Sequence, residues 1–219
     1  MSQIKSLHFW NWFERHQEYF QNFESLTTMD RGYWLMELEA HLTAYDRFLR
    51  PLLFFDEGGM KKRCKLVVTA DERIKSFRAA DRLVSKAPRR AGWEIIALVP
   101  PAPLEDGIES ELDLLGIRPQ HLWFDVRQPM NERKEFCVFV DIDPSETADV
   151  TSLVDHAVFN LLGERIYALC IERVKVVRFS DVLPENRAFL APLDQLPDFV
   201  QARRLSGMVV GKNGRLGDR

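Results

Sequence analysis

Cysteine is scarce in this chain: three in 219 residues, Cys64, Cys137 and Cys170, far apart and each inside an apolar run such as "FCVFV" or "ALCIE". An odd, scattered set of this kind excludes a disulfide framework, and with no CxxC pair or Cys/His cluster it excludes a zinc ribbon. The cysteines read as reduced core residues. Long apolar runs are also missing. No stretch of about 18 uninterrupted apolar residues is present to span a bilayer, and the N-terminus carries charges and tryptophans where a signal peptide has its apolar segment. These absences predict a reducing cytoplasm and no membrane partner.

Positive charge is not in excess either. With 30 Lys and Arg against 33 Asp and Glu the formal net charge is −3, so the basic footprint of a nucleic-acid binder is absent. Lys61, Lys62 and Arg63, and Arg89, Arg90 and Lys86, flank elements rather than forming a stripe with interleaved aromatics. They read as solvated turn charges. The glycines form no GxxxxGK[ST] or GxGxxG loop, and neither GxSxG nor HExxH occurs. Common nucleotide-binding and hydrolase signatures are therefore missing, and no cofactor is expected.

What is present in quantity is aromatic and apolar: 46% hydrophobic residues, with 15 Phe and 5 Trp. That content supports a proper core. In "HFWNWFERHQEYFQNF", Phe9, Trp12, Phe13, His16, Tyr19, Phe20 and Phe23 fall on one side of a helical wheel, with Asn11, Glu14, Arg15, Glu18, Gln21 and Asn22 opposite. This predicts an amphipathic helix, capped by Ser6. A second helix is predicted from about Asp30 to Leu49, stopped by Pro51, and the two form an antiparallel hairpin.

Beyond Pro51 the period shortens. "LLFF" and "CKLVVTA", separated by "DEGGMKKR", predict a β-hairpin; a helix follows from Asp71 to before Pro88, then a strand in "WEIIALVPP". "IESELDLLGI" suggests a helical turn or two. "HLWFDVR" and "EFCVFVDID" predict strands, and "DPSE", with Asp143 able to cap, Pro144 and Glu146, opens a helix reaching about Leu162. Gly163 is read as its stop, and "GERIYALCIERVKVVRF" as one or two strands. A short helix in "PLDQLPDFVQARR" precedes a Gly-rich end.

The fold expected is α/β (α+β): a mixed sheet of about five to seven strands with an N-terminal helical hairpin and two further helices packed on it. No internal repeat is visible. Residues 1–205 are read as a single domain, 1–50 being the hairpin and 51–205 the sheet and helices, with 206–219 a flexible tail.

Candidate chemistry is sparse. His16 lies on the aromatic face of the first helix; its plain reading is a core or edge histidine whose ring nitrogen meets a backbone carbonyl, with His8 and His41 able to approach across the hairpin. Asp141 and Asp143, two apart at a strand end, project from one face and are the least unlikely metal ligands. Asp143 already has work as a helix cap, so no metal is expected. Trp10, at the edge of the aromatic stripe, and Trp34 are the residues expected to form a contact surface if solvent-facing.

The run "CKLVVTADERIKSFRAADRLVSKAPRRAGWEIIALVPP", with "FWNWF" before it and "LVDHAVFNLLGERIYALCIERV" after it, resembles an uncharacterised bacterial family. That family has an N-terminal FWxWF helix, a strand ending in Ser-Ala-Asp-Gly or similar, an "AP…W" step into the next strand and a late LGE. The resemblance covers most of residues 8–175 and departs at "TADER", where a glycine is usual. It implies a bacterial origin and a shared fold and, the family having no established activity, transfers no catalytic residue.

The function these readings favour is a non-catalytic cytoplasmic protein of immunity or adaptor type that works by binding another protein. The alternative is an enzyme or small-ligand binder with a pocket between the helical hairpin and the sheet. Composition and motifs leave the oligomeric state open.

Overall fold

The computed structural model describes residues 2–56, 63–104, 117–130, 133–141, 150–210 and 216–218. The chain is α+β with an N-terminal helical pair, as its sequence predicts, but its seven principal strands are shared between two sheets rather than joined in one. It divides into two compact units, residues 1–99 and 100–219, where one domain over 1–205 was expected.

The first unit opens with helix α1 (Ser2–Gln21) and helix α2 (Thr28–Tyr45). α1 begins four residues before Ser6, which is buried inside it, so the cap expected there is corrected. α2 has a true cap: the Thr27 side chain accepts from the Asp30 amide at 3.1 Å, while its hydroxyl donates to the Asp30 carboxylate at 2.6 Å. Strand β1 (Arg50–Asp56) pairs antiparallel with β2 (Arg63–Thr69), and β2 pairs parallel with β3 (Trp93–Ala97) across helix α3 (Ile74–Val84). β2, central in this sheet, is buried along nearly its whole length, which explains its continuous apolar run. In "TADER", Asp71 and Glu72 take φ of 48° and 61°, the left-handed region that favours glycine. The Thr69 hydroxyl accepts from the Asp71 amide at 3.1 Å and holds this turn as it leads into α3.

The second unit contains strands β4 (Leu122–Asp125) and β5 (Lys134–Val140), helix α4 (Val150–Cys170), strand β6 (Ile171–Arg178), a single turn of helix α5 (Pro184–Arg187), strand β7 (Leu190–Pro192) and helix α6 (Leu196–Gly207). The sheet order is β6-β5-β4-β7, with β5 and β6 parallel and the other pairs antiparallel. Residues Glu164–Cys170, read as strand from their apolar content, continue α4 beyond a break at Gly163; only Ile171 onward is strand. Four of the seven residues, Glu164, Tyr167, Ala168 and Cys170, are buried, so the segment lacks the single broad wet face that marks a surface helix in a sequence. At the C-terminus, Met208–Val210 pairs antiparallel with Leu216–Asp218 as strands β8 and β9, within the stretch expected to fray.

Both units repeat one path: an antiparallel hairpin, then a helix, then a strand parallel to the hairpin's second strand (β1-β2-α3-β3 and β4-β5-α4-β6). Among the described residues no helix is long and apolar enough to cross a membrane.

Candidate functional site

The aromatic residues of α1 divide into an inner and an outer set. Phe9, Trp10, Phe13 and Phe20 are buried. Trp10, expected at a contact surface, is 3% exposed and donates from its indole Nε1 to the Leu83 carbonyl of α3 at 2.9 Å. That corrects the expectation: an edge position on the wheel faces inward because α3 packs there, and the indole N–H meets a carbonyl near the end of that helix. Phe13 meets Trp93 of β3 edge to face at 4.9 Å. Trp10 and Phe13 thus fasten α1 to α3 and to the sheet.

The outer set forms a continuous ring ladder across α1 and α2. His8 stacks with His41 at 6.1 Å, His41 lies on Trp12 at 4.0 Å, Trp12 meets His16 at 5.2 Å, and His16 meets Trp34 at 5.2 Å. Trp34 in turn stacks on Tyr19 at 4.0 Å and meets Tyr33 edge on at 5.1 Å. Trp34, the other expected contact residue, is half-buried in this ladder. His8 and His41 do approach His16, through Trp12, and His16 Nδ1 lies 2.8 Å from the Trp12 carbonyl, the backbone partner expected of it.

Burial holds His41 below the usual histidine value of 6.5; Glu37 opposes this by favouring the cation, and His8 and His16 add to the lowering. Linkage sets the sign for stability. Between the folded and unfolded values the unfolded chain binds more protons, so stability is full above about pH 6.5 and declines as the pH falls below it. A His41→Phe variant keeps a ring on Trp12 and removes the titration. Its melting temperature is expected to fall less than the parent's between pH 7.5 and 5.5; equal falls in circular-dichroism melts would show that His41 does not carry the effect.

A cavity of about 440 Å³ opens between the N-terminal half of α1 and the C-terminal half of α2, lined by Ile4, Lys5, His8, Ala40, His41 and Ala44 among others. Lys5 Nζ donates to the Ala44 carbonyl at 3.4 Å. Beside it the outward side of α2 carries Met29, Tyr33 and Met36, exposed by 82%, 52% and 67%. Their spacing of four and three residues places them on one line. This stripe is masked in the sequence by the apolar pattern of the opposite, buried face of α2, with Leu38 and Leu42; its signal is the 29, 33, 36 spacing of large apolar residues with small Ala40 and Ala44 following.

A second cavity, of about 320 Å³, lies beside β4 and α5. Of its charged groups, Asp125 and Arg127 pair with each other. The Asp125 carboxylate accepts from the Arg127 amide at 2.8 Å and from its guanidinium at 2.6 and 2.9 Å, while Arg127 reaches Asn186 Oδ1 at 3.2 Å and lies 4.1 Å from the Phe189 ring centre. The side-chain hydrogen bonds from Arg127 hold Asp125 below the usual carboxylate range. This network ties β4 to the turn before β7. Neither of these two cavities lies between the hairpin and the sheet.

Asp141 is exposed at the end of β5, and Asp143 lies outside the described residues. No group of three or more His, Cys, Asp or Glu placed to hold a metal occurs among the described residues. None of the three cysteines forms a disulfide; burial, with Glu135 adding to it, pushes the half-buried Cys137 thiol up, away from the reactive thiolate. Glu164, noticed in the sequence only as part of "LGE", is wholly buried directly after the α4 break.

No protein-family model, curated protein or solved structure matches this chain.

Proposed function

We propose that this protein works by protein–protein binding, in an adaptor or immunity type of role, and that its binding surface is the outward side of the α1–α2 pair. The observation that carries this reading is the line of Met29, Tyr33 and Met36, three large apolar side chains exposed side by side on one helix. Single exposed apolar residues are ordinary, but a contiguous line of them beside an apolar cavity is a contact surface. Gly32 lies on the same side with nothing within 4 Å of the position its Cβ would take. A glycine inside a helix costs about 1 kcal/mol relative to alanine, and no packing among the described residues requires it there. A partner backbone approaching closely does.

The aromatic ladder supports the surface from beneath. Rings held on both faces keep α1 and α2 at a fixed separation, so the exposed side chains are presented on a rigid base. A photo-reactive benzoylphenylalanine replacing Tyr33 is expected to yield a discrete cross-linked species in cells, with the same group at exposed Ser152 yielding several-fold less. Equal, diffuse labelling at both positions would overturn the reading.

A further inference from the structure

We infer that the partner on this surface is a second copy of the same chain, packed along α2 in antiparallel fashion about a two-fold axis at Met36. This rests on the protein-binding reading above and names its partner. The inference begins with where bulk and space lie on α2. N-terminal to Met36 stand Tyr33 and Met29, and both protrude. C-terminal to it stand Ala40 and Ala44, which form one wall of the 440 Å³ cavity.

At 1.5 Å of rise per residue, Tyr33 and Met29 lie about 4.5 and 10.5 Å from Met36 in one direction. Ala40 and Ala44 lie about 6 and 12 Å away in the other. A two-fold axis at Met36 therefore sets each copy's Tyr33 and Met29 over the other copy's Ala40 and Ala44. It also sets Gly32 across from Ala40, two small residues that let the helix backbones approach closely. The surface is self-complementary, as an isologous interface requires. An unrelated partner places no such demand that knob and hollow lie at matching distances from one residue.

Charge follows the same symmetry. Lys5 stands at the cavity end of the surface, and Asp30 in the first turn of α2 stands at the protruding end. The antiparallel arrangement brings Lys5 of each copy toward Asp30 of the other, and it opposes the two α2 dipoles. The surface is small, so the expected dissociation constant is on the order of micromolar or weaker.

Sedimentation equilibrium of the full chain across about 1 to 200 μM tests this. The expected result is a reversible shift from one to two chain masses. Met36→Glu, a good helix former at an exposed position, is expected to keep the parent's circular dichroism and melting temperature while weakening the dimer at least about 100-fold, because two carboxylates then meet on the axis. Lys5→Glu and Asp30→Lys are each expected to weaken it several-fold, and the double exchange to restore it. A chain that stays monomeric at 200 μM overturns the self-association. It leaves the binding reading to the Tyr33 cross-link, whose product then differs from twice the chain mass. A dimer indifferent to Met36→Glu, or weakened without restoration by the double exchange, also overturns it.

Discussion

Replacing Gly163 with alanine is expected to destabilise the second unit by roughly 3 kcal/mol or more, a fall in melting temperature of roughly 10 °C. Gly163 has φ 67° and ψ 161° inside α4, a conformation that side-chain-bearing residues avoid. A Cβ there would lie 2.6 Å from the Pro101 nitrogen, 2.8 Å from its Cδ and 2.9 Å from the Pro100 carbonyl carbon. Two of these three atoms are backbone and the third belongs to a closed ring, so none can swing aside. The strained torsion alone costs about 1–3 kcal/mol and the overlap adds to it.

The approach of Pro100 and Pro101 has a purpose that the hydrogen bonds reveal. In an unbroken helix the Asn160 carbonyl would accept from the amide of residue 164. Here it accepts from the Ala102 amide at 2.8 Å. The Pro-Pro-Ala segment docks into the break and satisfies the backbone that the break leaves open. Gly32→Ala is the natural control, since nothing lies within 4 Å of its Cβ position and its helix would gain about 0.5–1 kcal/mol. Thermal melts of the two variants decide the matter: a Gly163→Ala loss no larger than about 1 kcal/mol would mean the break can close without harm.

The same residue shows what the sequence could and could not convey. Gly163 was legible as punctuation, because glycine ends helices. The helical continuation beyond it was not legible, since "ERIYALC" mixes a β-branched residue, an aromatic and a leucine, and a segment buried on most sides shows neither period. Strands β4 and β5, the α3 crossover and the α1 stripe were legible for the opposite reason: each has a drier and a wetter side, so the pattern records the geometry. The repeated hairpin-helix-strand path left no trace in the letters, because a topology constrains where apolar residues fall and not which ones they are. Trp10 was misread as a contact residue because α3, which covers it, is more than 60 residues distant in sequence. The Met29, Tyr33, Met36 line was available in the sequence, but only burial values distinguish a stripe that faces solvent from one that faces a core.

Phe13→Ala is expected to cost the first unit about 3–5 kcal/mol, the range for a large aromatic removed from a core that cannot collapse around the gap. Phe13 is 1% exposed and is boxed by rings: Trp93 edge on at 4.9 Å, Trp10 edge on at 5.7 Å, Phe20 stacked at 5.7 Å and Phe9 stacked at 6.3 Å. Rings are rigid and four of them surround the site, so the cavity persists and the loss lies toward the upper end of the range. Phe54 on β1, half exposed at 50%, is the counterexample, and Phe54→Ala should cost about 1 kcal/mol or less. Urea titration followed by tryptophan fluorescence measures both, because Trp10 and Trp93 report directly on the vacated site. A Phe13→Ala loss below about 1.5 kcal/mol would show that α1 is held by something other than this box. α1 also supplies Ile4, Lys5 and His8 to the cavity wall. With Phe13 gone, α1 loses its seat on Trp93 of the sheet but keeps the Trp10 hydrogen bond to Leu83, the Glu14–Arg90 ion pair and the ring ladder to α2. The hollow into which Tyr33 and Met29 of a second copy would fit lies between α1 and α2, whose separation the ladder sets. Self-association is therefore expected to persist in Phe13→Ala wherever the chain remains folded, which separates the stability of the first unit from the contact on its exposed face.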